Sequence, residues 1–305
     1  MTSPTDSRPD PRPELRPYSA LRLEKAEGVA TLTLDRPERM NAFTHTMAKE
    51  WLHALDVVDG DDEIRALIVT GAGKAFCAGA DLSGGGGTFD PGEGEMQDRT
   101  SSPRAPRDVG GIVSLRLFRC RKPIIAAVNG AAVGVGVTST LPMDIRLASE
   151  RARFGFVFTR RGIVPEACSS WFLPRVVGIA RAMEWVATGR VFDAAEALRG
   201  GLVSEVLPHE DLLPRARALA TEIAGNTSAV SVALGRQMMW QMLGAPHPMA
   251  AHRLDSAAMT WMGARGDSRE GVTSFLEKRP ARFPLAVSRD FPASLPWVAE
   301  PPYEA

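Results

Sequence analysis

Pro123-Ile124-Ile125-Ala126-Ala127-Val128, closed by Asn129-Gly130, is the stretch on which the fold turns. Six uncharged residues ended by an Asn-Gly pair read as a buried strand. Upstream, 66–70 (ALIVT) is a second compact run that stops at Gly71. Residues 44–59 precede it, with Met47, Trp51, Leu52, Leu55 and Val58 on one helical stripe. Residues 21–34 come first, two short strands broken by Glu27-Gly28 and ended by Arg36-Pro37. Strand, helix and strand at this spacing open a layered α/β unit.

Working outward from Gly130, Gly134-Val135-Gly136-Val137 enters an apolar run that predicts a closely packed helix. Residues 145–148 predict a strand, and 152–158 a continuation of the sheet. Helices are expected over 109–118, 180–188 and 194–199, with a last strand over 202–206. Beyond Pro208 the pattern is almost wholly helical: 212–223, 229–243, 249–262 and 268–278. A composition shift near Gly225 separates an α/β core, 20–225, from a helical C-terminal module, 226–305. Residues 1–19 hold five prolines and mixed charges, and predict a disordered tail. Within the core, Gly84 to Gly87 lead into a proline- and charge-rich stretch; the segment 83–108 predicts a long loop, either a surface insertion or a mobile cover over a site.

Bulk composition excludes several classes. Lysine plus arginine balance aspartate plus glutamate at 36 each, so no basic surface for nucleic acid is expected. The three cysteines and five histidines lack metal-ligand spacing, and an odd cysteine count fits a reducing compartment. No signal peptide or run of about 20 apolar residues is visible, so a cytoplasmic location with no membrane span is expected. The glycines fit neither a dinucleotide fingerprint nor a phosphate loop, and G-x-S-x-G is absent. Two glycine-bearing strand ends remain, Phe76-Cys77-Ala78-Gly79-Ala80-Asp81 and Asn129-Gly130 through Gly136. Side by side, such ends can aim two backbone amides at one developing oxyanion.

These same segments carry a family resemblance. Asp35-Arg36-Pro37 with Asn41-Ala42, then Ala75 to Asp81, then Lys122 to Gly130, then Glu270-Gly271, Phe275 and Glu277-Lys278-Arg279 occur in the order and spacing of the enoyl-CoA hydratase/isomerase (crotonase) superfamily. The resemblance covers roughly residues 20–283. It implies a crotonase-like α/β fold, a spiral of ββα units with a helical C-terminal module for oligomerisation and pocket closure. It also implies an acyl-CoA or enoyl-CoA thioester substrate from fatty-acid or related catabolism, coenzyme A entering as part of the substrate with no further cofactor and no metal. The backbone N–H groups of Ala80 and Val135 would hold the thioester oxygen, Val135 standing where hydratases carry glycine. Ala78, Arg39 and Lys278 would contact coenzyme A, Lys278 from a neighbouring subunit of a homotrimer or homohexamer.

Hydratases of the family use two glutamates, at the places of Thr138 and Phe158 here, and neither residue can replace a carboxylate. Glu166, in Gly162-Ile163-Val164-Pro165-Glu166-Ala167-Cys168, instead resembles the base of peroxisomal-type Δ3,Δ2-enoyl-CoA isomerases. The competing reading places Glu166 as a charge at a helix start over 167–173. Asp144 is expected to order backbone, and Glu184 and Glu196 to face solvent. A hydratase recruiting Glu166, a thioester hydrolase, a dehalogenase-like enzyme with a covalent step at that place and a non-catalytic acyl-CoA binder stay open. The methionines between 238 and 262 either line a soft acyl pocket or fill core and interface space.

Overall fold

β2 (Val29–Leu34) is buried along its whole length and pairs antiparallel with β1 (Leu21–Ala26). Glu27 and Gly28 both take positive φ, 51° and 78°, the backbone a two-residue hairpin turn requires. The other strands are β3 (Ala66–Gly71), β4 (Ala75–Cys77), β5 (Gln97–Asp98), β6 (Arg107–Asp108), β7 (Ile124–Val128), β8 (Ala131–Val133), β9 (Ile145–Ser149), β10 (Arg153–Gly155), β11 (Val191–Asp193) and β12 (Glu205–Leu207). The helices are α1 (His45–Gly60), α2 (Val109–Arg119), α3 (Val135–Thr138), α4 (Ser169–Val177), α5 (Ile179–Thr188), α6 (Ala194–Arg199), α7 (Leu212–Asn226), α8 (Ala229–Met242), α9 (Pro248–Gly263), α10 (Gly266–Leu276) and α11 (Val287–Asp290). This computed structural model describes residues 16–90, 92, 94, 96–98 and 106–303. The expected tail therefore lies, for 1–15, outside the described residues, as do 91, 93, 95 and 99–105 of the expected loop.

Two sheets share the strands alternately. One runs β1-β2-β3-β7-β9-β12 and the other β11-β10-β8-β4. Each pair β3/β4, β7/β8 and β9/β10 sends its first strand to the large sheet and its second to the small one. Each turn is then displaced by one strand along both sheets. That is the spiral of ββα units, and its parallel pairing leaves apolar residues on both faces of the middle strands. Leu212, Ala216 and Ala220 of α7 cover one face through Val29, Ile68, Ile125 and Leu147. The larger core, with Trp51, Phe76, Phe156 and Trp185, fills the other side.

The corners of the spiral touch backbone to backbone. A methyl at Gly130 would overlap the carbonyl of Lys74, and one at Gly136 the carbonyl of Cys77. Two asparagines tie the corner after β3. Asn129 accepts from the Gly71 amide at 3.1 Å and donates to the Gly73 carbonyl, while buried Asn41 donates to the Ala72 and Ala75 carbonyls at 2.9 and 2.8 Å. The motif asparagines hold up the site rather than enter it.

The structure departs from the sequence expectations in identifiable places. Residues 152–158 do not extend the large sheet; β10 belongs to the small sheet, and 157–161 turn into a 3-10 helix. β4, β8 and β11 are three residues each, too short to show a period. The segment 83–108 carries a 3-10 turn at Gly85–Gly87 and the β5/β6 pairing. Past Leu276 the chain is irregular apart from α11. Among the described residues no helix is long and apolar enough to cross a membrane.

Candidate active site

Gly79 and Gly134 set the two amides expected at the reaction centre. Each adopts a positive φ, 109° and 55°, just before Ala80 and Val135. Such backbone is strained for residues with a side chain and open to glycine. The turn at Gly79 lets the Gly79 carbonyl and the Asp81 amide pair with Phe43, leaving the Ala80 N–H out of that ladder. Val135 is the first residue of α3, where a helix leaves its N–H groups without an intrahelical acceptor. Neither N–H has a protein acceptor among the described residues, and both residues line one cavity of about 740 Å³. The two turns are neighbours: a methyl on Gly134 would touch the Gly79 Cα at 3.8 Å.

Glu166 reaches the same cavity from the segment before α4. α4 starts at Ser169, three residues beyond Glu166, so the helix does not begin at 167 as the competing reading has it. Glu166 Oε1 accepts from the hydroxyl of Thr138, a fully buried residue of α3, at 2.6 Å. The carboxyl is buried, and burial pushes its pKa up to about 8; the charge of Asp108 adds to the rise and the Thr138 bond opposes it. Phe158, at the other hydratase place, is buried and lines the cavity with no proton to exchange.

Asp108 is a site residue the sequence reading passed over. As N-cap of α2 it accepts from the Gly110 and Gly111 amides at 3.1 and 2.7 Å, and its Oδ2 also takes the Ala167 amide at 2.7 Å. Ala167 and Cys168 both sit at left-handed φ, 55° and 56°, which costs of order 1–3 kcal/mol each and persists only when surroundings enforce it. Asp108 is that enforcement, tying the turn that carries Glu166 to α2. Asp-x-Gly-Gly before a helical run carried the capping signal; the long-range bond to Ala167 had no local trace. Asp108→Asn leaves one acceptor oxygen and points an amide group at a donor. We expect about 1–3 kcal/mol lower stability in urea unfolding and, with the negative charge gone, a lower Glu166 pKa. An unchanged midpoint would refute this role.

Behind the turn, Phe172 of α4 meets Phe118 and Trp240 edge to face at 5.8 and 5.6 Å between centroids, and Trp171 meets Phe118 at 5.9 Å, fixing α4 against α2 and α8. Other expected residues fall as follows. Ala78 lines the cavity, whereas Arg39 and Lys278 are exposed and do not. Asp144 accepts from the Ile124 amide, Arg236 and Trp240 at 2.7 to 2.8 Å, a structural tie of α8 to β7. Glu184 is ion-paired with Arg181 and Arg190 at the surface. Glu196 does not simply face solvent: it accepts from the Trp185 indole at 2.7 Å and pairs with Arg190, because the buried indole N–H needs an acceptor. Cys168 has its thiol pushed up to about 11 by burial, which keeps it protonated near neutrality. Met238 and Met262 pack in a C-terminal core, and Met239, Met249 and Met259 are exposed; the cavity's methionine is Met96.

Comparison with known proteins agrees with this architecture. The model of the enoyl-CoA hydratase/isomerase family matches residues 24–284. An enoyl-CoA hydratase of Alternaria alternata is 43% identical over 85% of this chain and 83% of its own length. The 1,2-epoxyphenylacetyl-CoA isomerase of Escherichia coli is 35% identical over 84% of this chain and 95% of its own. The crystal structure of an enoyl-CoA hydratase from Bacillus anthracis superposes with a TM-score of 0.76 at 28% identity, covering 87% of this chain and 99% of that one.

Proposed function

The chain belongs to the enoyl-CoA hydratase/isomerase family, and from that premise we propose that it shifts a double bond from Δ3 to Δ2 in an enoyl-CoA, with Glu166 as the single proton shuttle. One observation carries the reading. The cavity that holds the two unsatisfied amides has one carboxylate positioned by a hydroxyl, Glu166 on Thr138, and phenylalanine where hydration needs a second.

In this mechanism the thioester oxygen accepts from the Ala80 and Val135 N–H groups. The ionised Glu166 takes a proton from C2, and the electron pair delocalises onto the oxygen as a dienolate. The two amides stabilise that charge; loss of one such donor costs about 2.7–4 kcal/mol in a comparable hole. Glu166, now protonated, returns the proton to C4, and the double bond settles between C2 and C3. No water is activated. A base with a pKa near 8 matches a carbon acid better than an ordinary carboxylate would. The named isomerase among the relatives supports isomerisation as chemistry this family performs.

Hydration is the second reading, favoured by Asp108, a carboxylate lining the same cavity, and by the hydratase name of the Alternaria alternata relative. Against it, three backbone amides already occupy the Asp108 oxygens. The test is a paired assay of trans-3-hexenoyl-CoA and trans-2-hexenoyl-CoA in heavy-oxygen water. Isomerisation without label uptake is expected; rapid formation of labelled 3-hydroxyacyl product would replace the proposal with hydration.

Thr138→Val removes the bond that favours the ionised form, so the acid limb of kcat/KM moves to higher pH. A limb that stays in place would mean the bond is not made in the working enzyme. The family reading also carries contacts of coenzyme A with Ala78, Arg39 and Lys278, and assembly as a homotrimer or homohexamer. The exposed Val272, Phe275 and Leu276 of α10, adjacent to Lys278, support such an assembly.

A further inference from the structure

The span that matches the family ends at residue 284, yet the cavity has a lining residue nineteen positions further on, Tyr303. The segment between is anchored step by step. Val287 is buried with Val230, Ala233 and Leu234 of α8, and the Ser288 amide donates to Asp62 at 2.9 Å. Phe291 stacks on Trp297 with centroids 5.4 Å apart and lies under the Arg121 guanidinium at 4.7 Å. The Val298 amide donates to Gln241 at 3.0 Å, and Glu300 pairs with Arg119 at 3.0 Å. Tyr303 then sits under the Arg107 guanidinium at 4.9 Å, its hydroxyl donating to the Pro106 carbonyl at 3.3 Å.

The partners descend in number, 121, 119, 107 and 106, as the strap ascends from 291 to 303. The strap therefore passes from the C-terminal end of α2, at Arg119 and Arg121, to the residues just before its N-terminus, Arg107 and Pro106. α2 begins beside Glu166, since Gly110 abuts the Glu166 carboxylate, and its next cavity-facing side chains are Ile112 and Leu115. A chain leaving the reacting carbons along α2 passes Ile112 and Leu115, and Tyr303 at the end of the strap lines the same cavity. Tyr303 is 55% exposed, so it stands at the outer edge of the cavity rather than in the core.

We propose that this C-terminal strap forms the distal wall of the acyl site and that Tyr303, backed by Arg107, selects for longer apolar acyl chains. The inference rests on the acyl-CoA reading above. Each methylene taken out of water contributes about 0.8 kcal/mol, about fourfold in affinity. Removing a wall over one or two methylenes then weakens binding by roughly four- to fifteen-fold, and only for chains that reach it.

The experiment is calorimetric binding of two unreactive saturated thioesters, butyryl-CoA and octanoyl-CoA, to the full chain, to Tyr303→Ala and to Tyr303→Phe. Octanoyl-CoA is expected to weaken about tenfold with Tyr303→Ala, butyryl-CoA to stay within twofold, and Tyr303→Phe to retain the wild-type ratio. Equal weakening of both ligands would overturn the proposal, because Tyr303 would then act through folding or the coenzyme end. An unchanged octanoyl-to-butyryl ratio would overturn it as well. Failure of the wild type to bind either thioester would instead sink the acyl-CoA reading, and the strap proposal with it.

Discussion

Glu166→Gln is expected to lower double-bond transfer by about 10²- to 10⁴-fold, the usual worth of a positioned acid–base group, while acyl-CoA still binds. Glutamine keeps the length of the side chain and can accept from the Thr138 hydroxyl, which sits 2.6 Å from Oε1. What it loses is the proton site. The wild type should show kcat/KM climbing about tenfold per pH unit and flattening above about pH 8, since only the ionised form can take the C2 proton. The stability of the two proteins should move the other way. Folding raises this carboxyl from 4.5 to about 8, so ionising it in the folded state is unfavourable. Below pH 4.5 the group is protonated folded and unfolded, and it costs nothing. Between 4.5 and 8 the unfolded chain releases the proton and the folded one keeps it, so wild-type stability falls with pH. Glu166→Gln has no such loss and should melt higher than the wild type at pH 8, the gap closing toward pH 5. Melting curves and pH–rate profiles on the same two preparations check both halves. Full activity in the variant would remove Glu166 from the mechanism.

Much of this arrangement was readable from the chain, and the boundary of what was readable is physical. β2, β3 and β7 are runs of buried β-branched and apolar residues, and α1 carries a full apolar stripe, so burial itself writes their pattern into the sequence. β4, β8 and β11 are held by neighbours in space and have only three residues in which to show anything. The second sheet was invisible for that reason. At the site, the glycines before Ala80 and Val135 were legible because a positive φ demands them. Glu166 was singled out by motif, and its partnership with Thr138 spans 28 positions that no local rule connects. Asp108 shows the same limit: its cap to Gly110 and Gly111 is local and its grip on Ala167 is not. Tyr303 lay furthest from any pattern. Its role depends on a strap whose anchors are single contacts scattered over α8, Asp62 and the two ends of α2.

Gly110→Ala should leave the fold standing and remove most of the activity, about 10²-fold for a base displaced by roughly 1 Å. A methyl at Gly110 would overlap Glu166 Oε2, with Ala167 Cβ and Val135 Cγ2 next at 3.3 Å. The first obstacle is the free end of a side chain, which can swing aside, so the helix need not move. Alanine also suits the first turn of α2 better than glycine by about 1 kcal/mol, which offsets the cost of the two tighter contacts. The carboxylate has no such compensation. Moving away from Gly110 carries it off the Thr138 hydroxyl and away from the line between C2 and C4 on which the shuttle depends. The loss should appear in kcat more than in KM, since the new methyl meets the Val135 side chain rather than its backbone amide and adds little to the cavity wall. Gly136→Ala makes the contrast. There the overlap is with the Cys77 backbone carbonyl, which cannot swing, so the expected result is a poorly folded protein rather than a folded inactive one. If Gly110→Ala kept full kcat with a wild-type melt, a carboxylate pressed against that glycine would not be the group that moves the proton.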